Sequence, residues 1–284
     1  MLRGGRGVGE GTRGTRVRKQ PVGMSATMGP RTDIEPRRMA TLAGAGSLLA
    51  ELRLVMERQV ESASREEIVR WVVEDNILLK RTQAGRREVA RKLAKRYGLC
   101  PGSPVFARFC SAWRAAQDSG QEGLLAFLMY GAHDGSVRLI SSGWLAPLLR
   151  RPGTPLTVDA VLAFIDGVAR SHPNIGTWSP KTRLSVAQHF LTAARDYGLA
   201  TGKASKHTVR PTVGPVVAWF AASLAQLQGV TPEETLASVW FHMLGLDFPA
   251  VVDALYAMAA SGLGRFRVEG QVVELELREH LSGS

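Results

Sequence analysis

Apolar residues recur at helical spacing along most of the chain. From Thr41 onward, Leu48, Leu49, Leu52, Val55 and Met56 mark a first amphipathic helix. A second follows at once, with Ile68, Trp71 and Val72 as its apolar face. Ser64 and Glu67 open it as a capping-box pair, each side chain placed to satisfy an orphan amide of the first turn. After Asp75 and Asn76 the spacing predicts a third helix from Gln83 to Tyr97, stopped by Gly98. Counting about 100° per residue puts Val89, Ala90, Leu93 and Tyr97 on one stripe, with Arg87, Arg91, Lys92 and Lys95 opposite. Between Pro101 and Arg151 the residues Phe106, Phe109, Trp113, Leu124, Leu125, Phe127, Leu128 and Trp144 fall in helical groupings that predict a scaffold core. Arg150-Arg151-Pro152-Gly153 then predicts a loop and a domain boundary.

The first pattern returns after Thr157. A capped helix to about Arg170 carries Val158, Val161, Leu162 and Ile165 inward, and Ser179-Pro180 starts the next as N-cap and first helical residue. Laying Thr82-Gln-Ala-Gly-Arg86-Arg-Glu-Val89-Ala90 over Ser179-Pro-Lys-Thr-Arg183-Leu-Ser-Val186-Ala187 matches the cap, an arginine four residues on, and the Val-Ala pair. Leu93 falls on Phe190, and Tyr97-Gly98-Leu99 answers Tyr197-Gly198-Leu199 after a three-residue insertion. The chain therefore repeats a helix-turn-helix unit. Arg86 and Arg183 both point into the apolar stripe, which predicts structural ion pairs, that of Arg86 with Glu74 or Asp75 of the preceding helix. On the second copy Ser185, Gln188, His189, Thr192 and Asp196 are expected on the outer face.

Val209 to Pro215 reads as an extended linker and Val216 to Leu227 as a buried helix. Thr231 and Glu234 form another capping box, predicted to start a helix through Leu236, Val239, Trp240 and Met243. A turn at Leu246 to Pro249 leads to a helix ending at Ala260, then to a hairpin whose two-residue turn puts Phe266, Val268, Val273, Leu275 and Leu277 on one face. The predicted fold is mainly α: helix-turn-helix repeats with a C-terminal winged-helix-like unit carrying a small β-hairpin. Its domains are a disordered basic tail at 1–40, a helical domain at 41–151 holding the first helix-turn-helix, and a helical domain at 152–284 holding the second and the winged-helix-like end.

Charge sharpens this outline. The chain carries a net +11. Lys80 to Arg96 holds eight basic residues against the single acid Glu88, a net +7 that exceeds the sum of everything after residue 40. Such a concentration points to a polyanion, or else to a solvated helix face. The tail is rich in Gly, Arg and Thr and poor in apolar residues, which predicts disorder. It reads either as a nonspecific nucleic-acid arm or as a segment upstream of a later start at Met24, Met28 or Met39.

Catalytic chemistry finds no foothold. Gly198 to Ala204 is one residue short of a phosphate-binding loop, lacks its Ser/Thr, and follows a helix in place of a strand. The six histidines are scattered, and Cys100 and Cys110 have neither disulfide nor zinc spacing. Glu233-Glu234 belongs to a cap and Glu274/Glu276 to a strand. The sequence predicts binding without catalysis, metal or cofactor, and, with no signal or membrane-crossing pattern, a cytoplasmic location.

The runs Trp71-Val-Val-Glu-Asp-Asn-Ile-Leu-Leu-Lys-Arg-Thr82, Thr177-Trp-Ser-Pro-Lys-Thr-Arg183, Arg195-Asp-Tyr-Gly-Leu199 and Val239-Trp-Phe-His-Met-Leu-Gly-Leu-Asp-Phe248 resemble the BrxA family of bacterial BREX phage-exclusion systems, in the family's order, across roughly Thr41 to Leu277. The resemblance implies a non-enzymatic, helical, winged-helix-like protein that binds DNA and serves phage defence beside a methyltransferase and an ATPase. The charge pattern alone names the contacts expected with double-stranded DNA: Lys80, Arg81, Arg87, Arg91, Lys92, Lys95 and Arg96. The alternatives are an adaptor that docks an acidic protein partner on the same face, and an RNA-binding protein.

Overall fold

The computed structural model describes residues 39, 41–117, 119–270 and 272–281. The tail expected to be disordered lies before them, outside the described residues. A 3₁₀ turn at Thr41–Gly44 leads to α1 (Leu49–Met56), α2 (Arg65–Val73) and α3 (Gln83–Tyr97). The capping box forms as expected: Ser64 Oγ accepts from Glu67 N at 3.1 Å and Glu67 Oε2 accepts from Ser64 N at 2.7 Å. Thr82 likewise caps α3, its hydroxyl accepting from Gly85 N, and Gly98 ends that helix in the left-handed region at φ 72°.

The scaffold follows as α4 (Pro104–Ala115), α5 (Glu122–His133), α6 (Gly135–Ile140) and α7 (Ala146–Leu149), the last two joined by a π turn at Ser141–Leu145. α5 is buried from Gly123 to Ala132, which its unbroken apolar run requires. Strand β1 (Pro155–Leu156) precedes α8 (Val158–Val168), α9 (Pro173–Gly176) and α10 (Pro180–Asp196), and β2 (Ala200–Thr201) and β3 (Lys206–Thr208) follow. The three strands form one antiparallel sheet of order β1-β3-β2.

The second buried helix is α11 (Pro215–Leu227), packed on α4 and α5. The Thr231 capping box is present, but the helix it opens is cut in two: α12 (Pro232–Thr235) stops, and α13 (Val239–Met243) starts anew behind Ser238. Then come α14 (Phe248–Ala260) and the hairpin β4 (Gly264–Glu269) and β5 (Val272–Leu277). The hairpin register is the expected one, Phe266 opposite Leu275 and Val268 opposite Val273, which puts Phe266, Val273 and Leu275 into the core. The architecture is thus mainly α with two small antiparallel sheets, and buried side chains from Leu42 to Leu281 form one continuous cluster.

The two copies of the repeat meet face to face. Tyr97 and Tyr197, which occupy equivalent places, are both buried, and their hydroxyls lie 2.8 Å apart. Tyr97 Oη donates to the carbonyl of Ser47 at 2.5 Å, leaving its lone pair for the Tyr197 hydroxyl. Both rings pack on α5, Tyr97 against Tyr130 and Tyr197 against Phe127.

Candidate nucleic-acid interface

The segment from Leu42 to Ser47 crosses between α3 and α10; Leu42 O accepts from Ala45 N in the 3₁₀ turn, and carbonyls along the segment take side-chain donors from both helices. Lys92 Nζ donates to Gly44 O at 2.9 Å, Arg96 Nη2 to Ala45 O at 2.6 Å, and Tyr97 Oη to Ser47 O. From the other side, His189 Nδ1 lies 2.7 Å from Leu42 O, and Ser47 Oγ donates to Asp196 Oδ2 at 2.7 Å. This strap revises the expected outer face of α10: His189 and Asp196 face the strap, while Gln188 remains exposed.

It also divides the basic residues of α3. Arg96 is not a surface contact. It is 1 % exposed, its Nε bonds to the Tyr130 hydroxyl at 3.1 Å, and its guanidinium lies 5.2 Å from the centroid of that ring. Helical counting places Arg96 at the edge of the charged face, and the strap closes over that edge. Lys92 is half-buried for the same reason. Lys80 is drawn to α1, 2.9 Å from Glu51.

Arg87 and Arg91 project into solvent, with Lys95 half-exposed beside them and Arg81 exposed before the helix. Arg91 is gripped by Glu88 through two bonds of 2.9 and 2.7 Å, and Lys92 Nζ lies 3.2 Å from the same carboxylate. Hydrogen bonds from Arg91 and then Lys92 push the Glu88 carboxyl down to about 2, so it stays ionised in the middle of the ridge. Arg81, Arg87 and Lys95 have no ion pair or side-chain hydrogen bond among the described residues. Between the ridge and the strap lies a cleft of about 240 Å³, bordered by Gly44, Glu88, Arg91, Lys92 and Lys95.

The two inward arginines behave as a matched pair with different partners. Arg183 forms the expected kind of bridge, Nη1 to Asp166 Oδ1 of α8 at 2.5 Å. Arg86 does not: it reaches neither Glu74 nor Asp75, and its Nη1 donates instead to the carbonyl of Val73 at 3.0 Å. Val73 ends α2, so that carbonyl is one of the orphans a helix leaves at its C-terminus, and a cation there suits the helix dipole. Each arginine leaves its Nε buried without an acceptor among the described residues.

The tip between β2 and β3 escapes sequence reasoning. Strands of two and three residues give no alternation to detect. The tip exposes Gly202, Lys203, Ala204 and Ser205, and Arg210 is exposed just beyond β3. The available signal was Gly202 itself, which turns at φ 91° where an added Cβ would run into the Ser205 carbonyl. At the other end, α14 turns outward Asp247, Phe248, Asp253 and Tyr256, with no lysine or arginine along its length.

Among the described residues no group of three or more His, Cys, Asp or Glu side chains could hold a metal ion, and no single helix is long and apolar enough to cross a membrane. Curated proteins provide no significant match to the sequence. Among solved structures, the chain is similar in fold to an uncharacterized protein from Magnetospirillum magneticum, with a TM-score of 0.53 and 15 % sequence identity, over 74 % of this chain and 98 % of that one. The sequence profile of BrxA matches residues 39–223, which takes in the strap, both copies of the internal repeat and the three-stranded sheet. That match spans more than half of the chain: it belongs to the BrxA family, and by that membership it is a component of a BREX phage-defence system.

Proposed function

We propose that the chain is a non-enzymatic duplex-DNA-binding member of that system, holding phosphates on the outer ridge of α3. The observation that carries this reading is the set of exposed cations there. Among the described residues Arg81, Arg87 and Lys95 have no ion pair or side-chain hydrogen bond, and Arg91 is held by an exposed pair with Glu88, a weak interaction that phosphate can replace. Lys80 and Lys92 serve as secondary contacts because part of their hydrogen-bonding capacity is already taken, and Arg96 drops out of the interface. The element order from β1 to β3 also supports the reading, since strand, helix, turn, helix and hairpin make a winged-helix outline with Lys203 at the tip of its wing. The outline recurs without the leading strand from α13 to β5.

The test is a gel shift titrated with salt on duplex DNA, single strands and RNA. With about three to four phosphates neutralised, log affinity against log salt for duplex should slope by roughly −3 to −4. Reversing Arg87, Arg91 and Lys95 to Glu together should abolish the shift. An unchanged affinity in that variant would overturn the reading, and preference for RNA would replace duplex with RNA as its ligand.

A second reading applies to the other end of the chain. The outward face of α14 is acidic and apolar, which repels a phosphate backbone and suits a protein. BREX membership points to other BREX proteins as partners, and the methyltransferase or ATPase of such a system is the natural occupant. Loss of a nuclease-resistant complex on changing Phe248 and Tyr256 to Ser, with DNA binding intact, would assign the two ends separate roles.

A further inference from the structure

The turn between α2 and α3 holds a residue that the fold does not use. Leu79 is 85 % exposed, the most open of the large apolar side chains among the described residues, whereas its neighbour Leu78 is buried. Its backbone sits in the left-handed region at φ 51°, a conformation that costs a residue bearing a Cβ about 1–2 kcal/mol. Glycine or asparagine adopts that conformation at less cost, and Asn76, three residues earlier, does so at φ 52°. The turn is firmly made: Asn76 O accepts from Leu79 N at 2.9 Å and Asn76 Oδ1 from Lys80 N at 2.8 Å. The side chain is thus held out into water on a rigid base, with no burial to offset the strain.

Its surroundings narrow the choice of ligand. Glu74 and Asp75 open the turn on the α2 side, but Lys80 and Arg81 follow Leu79 directly, and the exposed start of α3 adds its cap Thr82, Gln83 and, one turn on, Arg87. An exposed apolar group with cations on its C-terminal side, at the entry to a basic helix, matches the major groove, where phosphates flank base edges. In helix-turn-helix docking the N-terminal residues of the second helix meet those edges, and the thymine C5-methyl is the apolar feature there.

We infer that Leu79 presses on thymine methyls in the major groove, so that binding by the α3 ridge carries a preference for A·T pairs. This rests on the duplex-DNA reading of α3. The phosphate contacts set position and salt dependence, and Leu79 adds the component that depends on base identity. Unlike the ridge cations, it carries no charge, so its removal leaves the salt dependence in place.

The test compares an A·T-rich duplex with the same duplex in which deoxyuridine replaces every thymidine, which deletes the methyls and keeps the base pairing. The full chain should bind the thymidine duplex about fourfold tighter for each methyl that Leu79 covers. Leu79→Ala should bind both duplexes alike, with the salt slope of the unaltered chain. Leu79→Asn, which suits the left-handed turn, repeats the measurement in a variant whose fold is secure. Equal affinity of the unaltered chain for the two duplexes, or a difference that survives in both variants, overturns the inference while the duplex reading stands. Absence of any salt-dependent duplex binding by the unaltered chain overturns both.

Discussion

Changing Arg96 to methionine and Arg87 to alanine should separate two arginines that a helical count treats alike. Methionine replaces the buried stem of Arg96 but leaves Ala45 O without its 2.6 Å donor and removes the bond to the Tyr130 hydroxyl and the cation over its ring. A hydrogen bond from a charged donor contributes about 1.5–3 kcal/mol, and the cation–π contact about 0.5–2 kcal/mol. Relief from burying a charge offsets part of this, so the net loss should be about 2–4 kcal/mol. In urea, at about 2 kcal/mol per molar, the midpoint should fall by about 1–2 M. Duplex affinity, measured where the variant is folded, should stay within about twofold, since nothing facing solvent has changed. Arg87→Ala should do the reverse: stability within about 0.5 kcal/mol of the unaltered chain, affinity reduced, and the salt slope shallower by about 0.9. If Arg96→Met kept its urea midpoint and lost DNA affinity, the argument that the strap turns this arginine into a structural residue would fail.

Tyr197→Phe should cost about 1 kcal/mol, because Tyr97 keeps its bond to Ser47 O, whereas Tyr97→Phe, which strips that carbonyl of its 2.5 Å donor, should cost about 1–3 kcal/mol by thermal or urea unfolding. Burial raises both phenols above their ordinary value near 10, so the folded chain holds them neutral; their contribution is complete below about pH 10 and lost as pH rises further, when the unfolded chain ionises first. The unaltered chain should therefore lose stability above pH 10 more steeply than the double phenylalanine variant. Glu88→Gln removes the anion from the ridge and releases Arg91 and Lys92, so duplex affinity should rise in a gel shift; weaker binding would mean that Glu88 is needed to orient them. Gly98 and Gly198 hold equivalent places with φ of 72° and 83°, but a Cβ on Gly98 meets the His133 ring while one on Gly198 meets nothing. Gly198→Ala should cost about 1–2 kcal/mol and Gly98→Ala distinctly more, read from melting curves.

Helix boundaries in this chain were legible because their chemistry is local. Ser64, Thr82, Ser179 and Thr231 each satisfy an amide within four residues, and Gly98 supplies the conformation that ends α3. The C-terminal hairpin was equally plain, since six-residue strands show their alternation and the two-residue turn sets the register. The internal repeat could be aligned from caps, the inward arginines and the Tyr-Gly-Leu triplets. Of the site, the sequence marked where positive charge accumulates and which side of α3 carries it.

What the sequence by itself determined, then, are the long helices and the C-terminal hairpin, their order, the repeat and the position of the charge, all set by interactions between residues close along the chain. Only the tertiary structure decided which charges remain available. Arg96 was withdrawn by a carbonyl 51 positions away and a tyrosine hydroxyl 34 away, Lys80 was turned toward a glutamate on another helix, and Arg86 found a helix-end carbonyl where a carboxylate was expected. The meeting of Tyr97 with Tyr197 and the sheet of β1, β3 and β2 belong to the same class. Helical periodicity resolves the angle at which a side chain leaves its axis; whether that direction ends in water or under another segment depends on contacts that close only when distant parts of the chain pack.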